Sequence, residues 1–141
     1  MKRRKIEARL EAALSDTPVV LLHGARQTGK TTLVQSVAKE RRGAQYLTLD
    51  DAAVLSAAAA DPAGFIAGLE GMAVIDEAQK VPELFPAIKL AVDRDRRPGR
   101  FLLTGSAHVL LLPRISESLA GRIEILTLWP LVRGDAPAPV Q

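Results

Sequence analysis

The stretch GARQTGKT, residues 24–31, follows the apolar run VVLL at 19–22. It precedes a segment whose apolar residues Leu33, Val34 and Val37 recur at helical spacing. The stretch fits G-x-x-x-x-G-K-[ST] at every fixed position. Such a pattern constrains the fold tightly. The loop must curl so that successive backbone N–H groups point inward at an anion, and glycine permits the dihedrals and the close approach. The strand before it anchors the loop, and the helix after it turns its positive dipole end toward the anion. Chance produces the pattern in about 0.5% of chains of this size, and here the required strand and helix flank it. The phosphates of a nucleotide would then lie against Gly24, Ala25, Arg26, Gln27, Thr28, Gly29, Lys30, Thr31 and Thr32. Lys30 reaches the β- and γ-phosphates, and the Thr31 hydroxyl ligates Mg²⁺.

The rest of the chain alternates strands with helices. Ile6, Leu10 and Leu14, spaced by four, mark one face of an amphipathic helix. After the loop, its helix is expected to end with Gly43 as C-cap. AQYLTL, MAVID, RFLLT and RIEILTL read as four further strands. Between them lie an Ala-rich helix over Ala52–Ala60 capped by Asp51, and a short helix with Asp61 as N-cap and Pro62 first. VPELFPAIKLAVDRD and VLLLPRISESLAG read as the remaining helices, with Pro113 near the start of the second. Apolar runs without alternation suit strands buried on both faces. The fold class is therefore α/β with a parallel five-stranded sheet sandwiched by helices. Residues 1–133 form one domain, and GDAPAPVQ, within residues 134–141, reads as a disordered Pro/Ala-rich tail.

A second constellation supplies the acid chemistry. MAVIDEAQK puts Asp76 at the C-terminal end of an apolar strand, placed to hold Mg²⁺ through water. Glu77, immediately after it, can orient or deprotonate an attacking water. Simple kinases do not need that carboxylate. No N-K-x-D-type guanine-reading motif occurs. RFLLTGS ends its strand in Thr104, Gly105 and Ser106, where a hydroxyl can sense the γ-phosphate. The alternative for Thr-Gly-Ser is a plain strand-ending turn.

Composition narrows the remaining classes. With 141 residues and 48% hydrophobic content, the chain can bury a real core. It has no cysteine, so disulfides and thiolate metal sites are excluded, and a reducing cytoplasmic setting fits. A net charge of +3 permits polyanion contact, but no specific nucleic-acid motif is present. The basic start lacks an apolar signal region, and no run is long enough to span a membrane. His23 and His108 show no metal-ligand spacing. Arg94, Arg96, Arg97 and Arg100 surround a turn and read as solvated charges, and Trp129 as a packing residue.

VVLLHGARQTGKTTL, YLTLDD, AVIDEAQKVPELFPAIK, FLLTGSAHVLL and SLAGRIEILTLWPL, taken in order, resemble prokaryotic AAA-type predicted ATP-binding proteins. The resemblance implies a P-loop NTPase with an AAA-like core and sheet order 5-1-4-3-2. It implies ATP and Mg²⁺ as ligands, with Lys30, Thr31, Asp76 and Glu77 in the roles above. It makes Arg122, in the AGR before the fifth strand, the candidate for action on nucleotide bound by a neighbouring subunit of a homo-oligomer, with Arg114 in reserve. Arg26 and Gln79 also match the family's pattern. Family members usually continue past the LWPL segment into a helical lid-like region and a C-terminal domain. A chain ending at Gln141 is then expected to be a truncated product, a fragment or a minimal relative. Two functions follow: an ATPase completed between subunits, or a non-hydrolysing nucleotide-binding regulatory module that acts through a partner.

Overall fold

The computed structural model describes residues 2–24, 29–106 and 111–128. Five strands, β1 (Val19–Gly24), β2 (Gln45–Thr48), β3 (Ala73–Asp76), β4 (Phe101–Ser106) and β5 (Ile123–Thr127), form one sheet. All pairings are parallel and the order is β2-β3-β4-β1-β5, the order 5-1-4-3-2 read from the other edge. Among the described residues six helices surround it: α1 (Lys2–Asp16), α2 (Lys30–Glu40), α3 (Ala52–Ala60), α4 (Pro62–Ala67), α5 (Leu84–Arg94) and α6 (Leu111–Ser118). A 3₁₀ turn, Ala78–Lys80, follows β3.

The period of two along each strand distributes its side chains between two cores. Val19 and Leu21 of β1, Ala73 and Ile75 of β3, and Phe101 and Leu103 of β4 face α3, α4, α5 and α6. Val20, Leu22, Val74 and Leu102 face the opposite way, toward Leu10 and Leu14 of α1 and Leu33, Val34 and Val37 of α2. β1, β3 and β4 are thus apolar along most of their length because both sides are covered. Ile6, Leu10 and Leu14 are all buried, so the apolar face of α1 packs on the domain itself.

Local signals set most of the boundaries. The Asp51 carboxylate accepts from the N–H groups of Ala53 and Val54 at 2.8 and 3.4 Å and opens α3. Asp61 does the same for α4 through Gly64 N–H at 3.1 Å, with Pro62 at the first position. One boundary differs from expectation. α2 stops at Glu40 with an extended Arg41 as its C-cap, not at Gly43. Arg41 leaves the helix and pairs with Glu11 of α1, a tertiary contact that helical periodicity cannot register. Gly43 takes a left-handed conformation (φ 82°) in the turn beyond. Among the described residues, no helix is long and apolar enough to cross a membrane.

Candidate active site

In a parallel sheet all strands end at the same edge, and ligands of α/β proteins bind beyond those carboxyl ends. Gly24 of β1 lies level with Ser106 of β4, and Ile75 of β3 with Leu103. Because β4 runs between β1 and β3, the ends of these three strands lie side by side at that edge, and the space beyond them is the crevice in which such folds bind ligands. Gly29 (φ 86°) turns the chain into α2, whose first residues are Lys30 and Thr31. Residues Ala25, Arg26, Gln27 and Thr28 lie outside the described residues. Thr32 is exposed on α2.

The structure brings the two sequence constellations into contact. Lys30 is 4% exposed, and its Nζ stands 3.7 Å from Glu77 Oε2. The Thr31 hydroxyl donates to Asp76 Oδ2 at 3.1 Å. Asp76 is 1% exposed, and such a buried carboxylate requires hydrogen bonds. It receives three hydroxyls: Thr31 and Tyr46 on Oδ2, the latter at 2.6 Å, and Thr104 on Oδ1. Thr104 is fully buried, and its oxygen also accepts from the Glu77 N–H at 2.8 Å. One threonine therefore holds both acidic residues, with its only proton committed to Asp76. Glu77 itself is left-handed (φ 61°, ψ 44°), which turns the chain out of β3. Gln79 Nε2 then donates to Glu77 Oε1 at 2.7 Å.

Tyr46 is the member of this cluster that the sequence did not reveal. Its phenol is pushed up to about 12, first by burial and then by its hydrogen bond to the Asp76 carboxylate. The only available signal was an aromatic residue in the neighbouring strand AQYLTL, which has an ordinary reading as sheet packing.

Other residues lie apart from the crevice. Arg122 precedes β5, at the opposite edge of the sheet, where its carbonyl accepts from Val19 N–H at 3.1 Å. Its guanidinium makes a two-pronged pair with Asp93 of α5, Nε to Oδ1 at 2.7 Å and Nη2 to Oδ2 at 3.1 Å. The pair holds the Asp93 carboxyl below its ordinary range and raises Arg122. The side chains of Arg114 and Ser106, and all of His108, Trp129 and residues 134–141, lie outside the described set. His23 Nε2 lies 2.8 Å from Thr127 Oγ1 across β1 and β5, and burial followed by the Lys30 charge lowers its pKa. Asp50 pairs with Lys80 at 2.6 Å. Around the 95–100 turn, Arg100 donates to the carbonyls of Ala91 and Asp95, and Arg96 to that of Gly121.

Comparison with known proteins agrees with this fold. The sequence model of a family described as an AAA domain matches residues 16–135. Uncharacterized proteins of Mycobacterium tuberculosis and Mycobacterium bovis are each 47% identical over 136 residues. That match covers 96% of this chain and 30% of each relative, so the chain spans about 30% of their length. Among solved structures, a Walker-type ATPase of Pyrococcus abyssi superposes with a TM-score of 0.63 at 18% identity, covering 93% of this chain and 54% of that one. The P-loop NTPase domain of a sigma-54 transport activator from E. coli gives 0.55 at 19% identity, covering 92% and 95%. At these identities the structural likeness speaks for the fold. The family match, the sheet order and the GARQTGKT motif that follows β1 in the sequence converge: the chain belongs to the AAA-domain family and has the fold of a P-loop NTPase.

Proposed function

We propose that the chain binds ATP with Mg²⁺ in the crevice beyond β1, β3 and β4 and hydrolyses its terminal phosphate. The observation that carries this reading is the meeting of Lys30 with Glu77 and of Thr31 with Asp76. A buried ammonium beside a carboxylate at 3.7 Å is a cation held ready for a stronger anion. The donor set also fits Mg²⁺, which takes one or two protein oxygens and completes its shell with phosphates and water. Thr31 Oγ1 and Asp76 would hold it, directly and through water, and when bound it would neutralise charge on the β- and γ-oxygens.

The chain's own residues do the rest. Lys30 binds the β- and γ-phosphates, and the backbone of residues 24–31 cradles them. Glu77 accepts a proton from the water whose oxygen attacks the γ-phosphorus. The bond from that phosphorus to the β–γ bridging oxygen breaks, leaving ADP and inorganic phosphate. Thr104 positions Asp76 and Glu77. It could also sense the γ-phosphate if its hydroxyl turned away from Asp76. Arg122 lies at the far edge of its own sheet, so its proposed role belongs to the site of a neighbouring copy in a homo-oligomer. Nucleic acid as a partner has no motif behind it, and a cytoplasmic setting rests on the cysteine-free composition.

The test is ATP binding and phosphate release measured side by side on wild type, Lys30→Ala and Glu77→Gln. Lys30→Ala should lose binding. Glu77→Gln should keep it and lose turnover by about 10²-fold or more. Binding in the wild type with no phosphate release at any protein concentration would instead support the regulatory-module reading.

A further inference from the structure

We propose that Gln79 is a positioning residue of this site: it holds the Glu77 carboxylate by one oxygen, which leaves the other directed at the phosphate pocket. The inference rests on Glu77 as the proton acceptor of the hydrolytic reading above. It begins with the backbone. Side chains two residues apart do not face each other along a regular helix. Here they meet because Glu77 is left-handed, at φ 61°. Among the described residues it is the only non-glycine with positive φ, a conformation that disfavours an L side chain. The strained turn swings the 3₁₀ segment back, and Gln79 Nε2 lands 2.7 Å from Glu77 Oε1.

The chemistry fixes which way the amide points. An ionised carboxylate only accepts, so the NH₂ end must face Glu77 and the carbonyl must face away. That carbonyl, Gln79 Oε1, is buried and has no protein hydrogen-bond partner among the described residues. It lies against β4 at Gly105, where an added Cβ would stand 3.3 Å from it. A purely structural glutamine would not be expected to keep a buried acceptor unpaired, since that is costly. The space beside Gly105 lets the amide sit with its donor on Glu77 and its acceptor at the strand end that borders the crevice.

Glu77 is then restrained at two points. Thr104 Oγ1 holds its backbone N–H at 2.8 Å, and Gln79 holds Oε1. Oε2 is the oxygen facing Lys30, at 3.7 Å. A flexible glutamate restrained in this way has one carboxylate oxygen pre-aimed, and restraint of this kind raises the rate of the chemical step without adding binding energy.

The experiment uses the full chain as wild type, Glu77→Gln, Gln79→Met and Gln79→Glu. It measures kcat, KM, affinity for a non-hydrolysable ATP analogue, and Tm. Methionine keeps the length and bulk of glutamine and lacks the N–H donor. Gln79→Met should lower kcat by about 10- to 100-fold, with KM and analogue affinity within about threefold of wild type and Tm unchanged. Gln79→Glu, which sets a second carboxylate against Glu77, should lower kcat further. Wild-type kcat in Gln79→Met, with Glu77→Gln inactive, would overturn the role of Gln79 and leave the hydrolytic reading standing. Loss of analogue binding and Tm together in Gln79→Met would mean packing, and would overturn it as well. Analogue binding without turnover in the wild type would remove the hydrolytic reading, and the role of Gln79 with it.

Discussion

Asp76 shows how a residue's burial defines its neighbours. A carboxylate at 1% exposure needs donors, and Thr31, Tyr46 and Thr104 come from three different elements to supply them. Tyr46 is the chain's single tyrosine, so its ionisation can be followed by ultraviolet absorbance without interference. The titration midpoint should fall near 12, well above the ordinary value of 10.0. Asp76→Asn should bring it only part of the way down, because burial is the larger cause. The folded value lies above the unfolded one. The stabilisation from the protonated phenol is therefore complete below pH 10 and is lost as pH rises through 12. Tyr46→Phe should raise the Mg²⁺ concentration needed for half-maximal nucleotide binding by about tenfold, since it removes one of the bonds that orient Asp76. Lys30 and Thr31 in one motif, and Asp76 and Glu77 in another, stood out in the sequence because the spacing inside each motif is local. Tyr46 did not, because it meets Asp76 only through the pairing of β2 with β3, thirty positions away in the chain.

At the scale of elements, β1, β3 and β4 were legible because residues buried on both faces leave apolar runs. The Asp51 and Asp61 caps were legible because a cap acts on its own next turn. The end of α2 was not: the helix stops at Glu40, with an extended Arg41 as its C-cap, ahead of the glycine at 43. Gly99 is an element-scale feature whose cause is tertiary. It has φ 67°, and a Cβ there would lie 2.8 Å from the carbonyl oxygen of Leu14 in α1. Its N–H also donates to Thr17 O at 2.8 Å, tying the turn before β4 to the end of α1. Gly99→Ala should destabilise the fold by about 1–3 kcal/mol, read from the denaturant midpoint. Asp61→Ala should cost about 1 kcal/mol, since Asp61 caps α4.

At the scale of the whole molecule, charged residues gather at two opposite edges of the sheet. Lys30, Asp76 and Glu77 stand at one edge, and Arg122 stands at the other, held by Asp93. Hydrolysis completed between copies predicts turnover that climbs faster than protein concentration. Arg122→Ala alone should lower turnover by about 10³-fold. Mixing Arg122→Ala with Glu77→Gln should recover part of the activity, because each supplies what the other lacks. No recovery in the mixture, with both variants folded and associated, would end the idea of shared sites. The Asp93 pair has its own signature. Its carboxyl titrates below the ordinary range, so the stabilisation is present above that range and is lost as pH falls through the lowered value. A stability difference between wild type and Asp93→Asn should therefore shrink in acid.

The order of strands also dictates when the protein can come into being. β1 lies between β4 and β5, whose pairings with it begin at Phe101 and Ile123. While a ribosome extends the chain, Val19, Val20, Leu21 and Leu22 have no sheet partner until more than eighty further residues have emerged. Long-range closures of this kind form late, and exposed apolar strands invite association in the meantime. The strand that leads into the phosphate-loop motif therefore completes its pairing only after β4 and β5 have been made.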